Sequence, residues 1–185
     1  MPEPILMSDP RVTTIPVTDC GEPLTDVRAA LRTTSREDDG TGAFAHLREG
    51  VLTRLTAAEQ HLPAGLRLLF IEGYRPPALQ RRYFENYSAT LRAAHPDWTP
   101  EAVHVAATPE DSDGACYTHA ANIGAEARAN RRLLIDALGA VGLVNYPTEW
   151  WHWSYGDRYW AMVTGAACAL YGPVGGVAGG TVPLR

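Results

Sequence analysis

The sequence predicts an α+β fold: a small, mostly antiparallel sheet with helices packed around it. Three observations point there. Several stretches repeat apolar residues at helical spacing, others are short apolar or aromatic runs, and the two kinds do not alternate regularly as in a parallel α/β protein. With 185 residues, 45% of them hydrophobic and 20% charged, the chain can bury a core without disulfide staples. No internal repeat or linker divides it. Residues 1–185 therefore read as one domain, with 1–10 and 175–185 as loose termini.

The first forty residues mix short apolar runs with Pro, Gly and Asp, the pattern of loops and short strands wrapping a core. Residues 42–61 read as the first strong helix, because Phe44, Leu47, Val51, Leu55 and Ala58 fall on one helical face. Pro63 and Gly65 break it. Residues 66–72 (LRLLFIE) then form a buried strand, apolar on both faces. Gly73 ends that strand, and Pro76 with Pro77 opens a second helix running to about Ala94. Residues 95–121 are mostly irregular, with a short helix after Pro100. A third helix spans about 125–141, capped by Asn122 or Gly124. Pro147 introduces an aromatic strand over 148–155 (TEWWHWSY). The uncharged stretch 161–184 holds six glycines with Pro173 and Pro183, so it reads as a last helix, a strand near Leu170 and Tyr171, and a Gly-rich tail.

The formal net charge of −5 offers no basic surface to nucleic acid or anionic lipid. All 16 basic residues are Arg, which a GC-rich bacterial genome explains more simply than function. Cys20, Cys116 and Cys168 are too far apart for a thiolate zinc pair and odd in number, so they read as reduced thiols of a cytoplasmic protein. Met1 to Val12 lacks the apolar run of a signal peptide, and no membrane association is expected.

Two motifs carry candidate chemistry. Glu149-Trp150-Trp151-His152 puts a carboxylate and an imidazole three apart between aromatics that would exclude water. On an ideal strand these two side chains face opposite sides. They converge only if the strand bulges or Glu149 sits in its entry turn, and a structural aromatic strand is the competing reading. Glu72-Gly73-Tyr74-Arg75-Pro76 delivers an Arg to a sharp corner, where it could grip a carboxylate or an oxyanion, or simply brace the turn. The acidic run Glu110 to Gly114 lacks the twelfth-position ligand of a calcium loop and reads as a turn. His46, His61 and His95 read as solvated, and a Cys116–His119 nucleophile pair rests only on proximity in sequence.

Together, Gly73-Tyr74-Arg75-Pro76 and Glu149-Trp150-Trp151-His152 resemble the D-alanyl-D-alanine dipeptidase (VanX) family, a likeness extending through residues 11–28, 43–87 and 125–174. The resemblance implies Glu149 as general base, His152 as a zinc ligand and Arg75 as the group stabilising the transition state. It also places Tyr74, Trp151 and His119 at the substrate. The family takes its other two zinc ligands from S-x-H-x-x-G-x-A-x-D. Here the nearest approximation is His119 with Glu126, with Tyr117, Asn122 and Gly124 in place of the Ser, Gly and Ala. Residues 126–130 moreover read as helix. The ligand-bearing strand is therefore read as missing, the join lying near 103–108.

A catalytic zinc needs three protein ligands, and His152 alone cannot hold one. The reading is thus a divergent, repurposed enzyme without a cofactor, using Glu149, His152 and Arg75 for proton abstraction, elimination or cyclisation on a small amino-acid-derived or dipeptide-like substrate. One alternative is a zinc dipeptidase with His104, His119 and His152 as ligands. The other is a non-catalytic module binding a ligand or partner. A lost strand would expose a sheet edge, which a homodimer could cover.

Overall fold

The computed structural model of the protein describes residues 4–34, 36, 38, 40–107 and 124–174. Its helices are α1 (Pro10–Thr13), α2 (Glu49–Glu59), α3 (Pro77–Ala94), α4 (Pro100–Ala107), α5 (Ala125–Ala140) and α6 (Arg158–Thr164). The strands are short: β1 (Leu24–Asp26), β2 (Arg32–Thr33), β3 (His46–Arg48), β4 (Leu69–Phe70), β5 (Val144–Asn145) and β6 (Trp153–Ser154). β1 pairs with β3 and β5 with β6, both antiparallel, whereas β2 and β4 run parallel. The α+β class stands.

The proline and glycine signals place α3, α4 and α5 close to their expected bounds. The first helix is different. Only Glu49–Glu59 is α-helical, while Ala43–Ala45 is a 3-10 turn and His46–Arg48 is strand. Phe44 and Leu47 fit a helical face by spacing, but other segments take the backbone groups a helix would use. Gly73 donates to the Phe44 carbonyl at 2.8 Å, and Val27 donates to that of Ala45 at 2.9 Å. Long-range pairing overrides the local period.

The 66–72 segment also departs from expectation. Leu68 and Phe70 pack on the core, but Leu66, Leu69 and Ile71 are 46%, 59% and 38% exposed. Only one face is covered, and regular strand is limited to Leu69–Phe70. The strand predicted at Leu170 and Tyr171 is instead a single parallel bridge from Ala169 to Val17.

Two apolar clusters organise the molecule. The larger joins Val27, Phe44, Leu47, Leu55, Leu68, Leu138 and Leu143, with Trp153 packed at its edge. The smaller joins Val12, Tyr146 and Tyr159. Ile5, Leu6 and Met7, expected in a loose terminus, pack against this second cluster, and the Met7 amide donates to the Tyr146 hydroxyl at 3.4 Å. Among the described residues no helix is long and apolar enough to cross a membrane.

A polar network around the buried Arg48 ties residues 19–22 to residues 171–172. Arg48, 9% exposed, donates to Asp19 Oδ2 at 2.7 Å, to the Gly172 carbonyl at 3.0 Å and to the Glu22 carbonyl. Asp19 accepts from the amides of Gly21 at 2.7 Å and Gly172 at 2.6 Å. These two amides, aided by Arg48, hold its carboxyl below the ordinary carboxylate value. Tyr171 donates to Glu22 Oε2 at 2.9 Å, and burial followed by this carboxylate pushes its hydroxyl well above the ordinary value of 10.0. Gly156 has φ +73 and admits Tyr171 so closely that a Cβ would lie 2.5 Å from its ring.

Candidate active site

β5 and β6 are joined by residues 146–152, and this connection brings Glu149 and His152 together. Glu149 N donates to Tyr146 O at 3.0 Å and His152 N donates to Glu149 O at 2.9 Å. Two consecutive turns thus replace the first half of the expected 148–155 strand, and Glu149 sits in the entry turn. That is the geometry its convergence with His152 required. Glu149 Oε2 lies 3.0 Å from His152 Nδ1, with the Glu side chain 16% and the His side chain 36% exposed. The nearly inaccessible ring of Tyr146 meets the imidazole edge-on at 5.6 Å.

Asn145 locks this loop, and no motif reading singled it out. Its Nδ2 donates to the carbonyls of His152 at 2.9 Å, Glu149 at 3.3 Å and Trp150 at 3.3 Å. An Asn before an aromatic run carries no signal of its own, because its partners exist only once the loop has closed. Tyr146 was equally silent in the sequence.

The aromatic wall is not as expected. Trp150 and Trp151 stand on the surface, 39% and 46% exposed, with rings crossed at 89° and centroids 5.8 Å apart. The Arg131 guanidinium on α5 lies 4.7 Å from the centre of the Trp150 ring. Standing on the surface, these indoles do not seal the pair from water.

The Arg75 corner is built by Gly73. A Cβ there would stand 2.4 Å from the His46 carbonyl oxygen, so only glycine lets this turn lie against β3. Arg75 Nε donates to Glu72 Oε1 at 2.8 Å, a second nitrogen bonds Glu72 Oε2, and the third donates to Gln80 Oε1 at 2.8 Å. Its guanidinium also lies 5.2 Å from the Tyr83 ring centre. Each nitrogen is engaged, and the geometry is that of a braced corner. The described partners of Arg75 and those of Glu149 and His152 form separate sets. Both segments nonetheless border the larger core, through Leu47 beneath Gly73 and through Trp153 beside His152. Tyr74 donates to the Val174 carbonyl at 3.3 Å.

His104 on α4 meets Phe84 edge-on at 5.3 Å, and His119 lies outside the described residues, as do Cys116 and the 110–114 run. His46 and His95 are half-buried, not solvated: His46 Nδ1 lies 3.0 Å from the Gly42 carbonyl, and His95 stacks on Trp98 at 4.0 Å. The resemblance implies a zinc ion, which needs three protein ligands. Among the described residues no three His, Cys, Asp or Glu side chains gather. His152 faces Glu149 while His104 packs on α3, so the described donors do not fit such a site.

Residues 110–164 match a family model described as D-ala-D-ala dipeptidase. The matched stretch is less than a third of the chain and includes Glu149, Trp150, Trp151 and His152, but not Gly73 to Pro76. It supports a relation to that family, and a hydrolase-family scaffold, at a coarse level. No curated protein matches, and no solved structure does.

Proposed function

We propose that the chain is a divergent enzyme on a D-Ala-D-Ala dipeptidase-like scaffold, repurposed for metal-independent acid–base chemistry on a small amino-acid-derived substrate. The observation that supports this is the 3.0 Å contact between Glu149 and His152. With Glu149 ionised, Nδ1–H donates to it, and a neutral imidazole then keeps its lone pair on Nε2. The carboxylate is the less exposed partner, so it stands behind the ring, sets its tautomer and offsets the charge of the imidazolium. His152 Nε2 is then the proton carrier and Glu149 its orienting group. The resembled family divides these roles differently, with the glutamate acting directly on water.

Such a pair suits proton abstraction beside a carbonyl, elimination or ring closure. Amide hydrolysis without a Lewis acid forgoes several kcal/mol of transition-state stabilisation, so dipeptide cleavage is expected to be slow. The test incubates the protein with D-alanyl-D-alanine and a panel of N-acyl amino acids, identifies products by mass spectrometry, and measures bound metal. Glu149→Gln and His152→Gln are each expected to lose at least ~100-fold in kcat. The double variant should lose little more than either single one, since the two act as a unit. No turnover of any substrate by the wild type, with ligand binding unchanged in Glu149→Gln, would indicate a binding module instead, and unchanged turnover in Glu149→Gln would overturn the pair's role. Stoichiometric zinc lost together with activity on chelation would indicate a metal dipeptidase.

A further inference from the structure

We infer that Arg131, stacked on Trp150, is the anchor for the substrate's carboxylate; this deepens the acid–base reading and rests on it. Arg75, which the sequence offers either as a grip for a carboxylate or as a brace for the turn, already spends its guanidinium nitrogens on Glu72 and Gln80. To bind a ligand it would have to break a two-pronged ion pair. Arg131 is placed otherwise. Among the described residues its contact is the Trp150 ring at 4.7 Å, and no hydrogen bond or ion pair involves its five N–H groups.

Its own helix supplies no counter-ion on that face. One turn away along α5 lie Ala127 and Arg128 on one side and Leu134 and Ile135 on the other. Asp136 is turned to Arg132 at 3.8 Å. The contact with the indole face engages the charge of the guanidinium and not its N–H groups, which stay available for two parallel bonds to a carboxylate.

The location gives this arginine its meaning. Trp150 directly follows Glu149 and lies two residues before His152, in a loop that Asn145 ties at all three of those carbonyls. A small molecule whose carboxylate docks on Arg131 and whose body lies over the exposed Trp150 and Trp151 would be presented to the Glu149–His152 pair. The ligand class is an α-carboxylate with a short apolar body.

Calorimetric titration with D-alanyl-D-alanine and with its C-terminal amide tests the inference. The wild type is expected to bind the acid about tenfold or more tightly than the amide. Arg131→Met should reduce that preference to about twofold or less at an unchanged melting temperature, and Arg131→Lys should retain only part of it. Glu149→Gln, which removes the catalytic carboxylate, should keep the preference. Retention of the wild-type preference by Arg131→Met overturns the inference, as does a wild type that binds neither form or does not discriminate. The acid–base reading is judged separately, on the turnover of Glu149→Gln, so the two can fail independently.

Discussion

The network around Arg48 and the loop around His152 are both built from charged and aromatic side chains, yet they are organised in opposite ways. Arg48 is buried, three oxygens from distant segments accept its protons, and Asp19, Glu22 and Tyr171 are themselves bonded to one another's neighbours. Such a closed set leaves little donor capacity for a ligand and fastens the C-terminal segment to the start of α2. The 146–152 loop holds only its backbone closed, through Asn145 and two turns. Its side chains are less enclosed: His152 is 36% exposed, Trp150 and Trp151 stand on the surface, and Arg131 has no acidic partner among the described residues. Polar satisfaction marks the structural cluster, and incomplete satisfaction on a hydrogen-bonded loop distinguishes the candidate site.

The contrast can be broken or sharpened by substitution. Arg48→Met should have the largest effect on stability in denaturant unfolding, because it removes the donors to two backbone carbonyls and to Asp19 and leaves a poorly filled hole. Turnover per folded molecule should be unchanged. Glu149→Gln should do the reverse, losing at least ~100-fold in kcat while the unfolding midpoint stays within error. If both variants lose stability alike, the distinction between clasp and site fails. Asn145→Ala removes the amide whose two N–H groups are shared among three loop carbonyls and is expected to cost about 1–2 kcal/mol in stability and about tenfold in kcat. A loss confined to stability would make Asn145 part of the scaffold alone.

The smallest effects are those of pH. The Tyr171 hydroxyl is raised above 10.0 in the folded chain, so its contribution is complete below pH ~10 and is lost as pH rises beyond that. Tyr171→Phe should cost about 1 kcal/mol at neutral pH and flatten the alkaline decline in melting temperature. Asp19 has the opposite sign. Its depressed value means its contribution is present above the ordinary 3.8 and disappears as pH falls through the folded value. Acid titration followed by proteolysis of the C-terminal segment should show release in that range, and Asp19→Asn should release it already at neutral pH.

Much of this arrangement was legible in the residues themselves. Proline and glycine placed α3, α4 and α5, because their backbone restrictions act locally. The i to i+3 spacing of Glu149 and His152 announced a pair that needed a turn, and the chain supplies one. What the sequence could not show is where residues far apart would compete for the same groups. The 43–48 stretch has a helical period but becomes a turn and a strand, since Val27 and Gly73 claim its carbonyls. The 66–72 run looks buried on both faces, but only Leu68 and Phe70 reach the core. The sequence leaves Arg75 as either a clamp or a brace, and only Glu72 and Gln80 in the folded chain decide for the brace, just as only folding brings Arg131 to the Trp150 ring. Local backbone chemistry thus determined which elements form and which residue types are available. Tertiary packing alone decided which of those side chains are satisfied by the protein and which stay partly exposed, because that choice depends on neighbours the chain brings together only on folding.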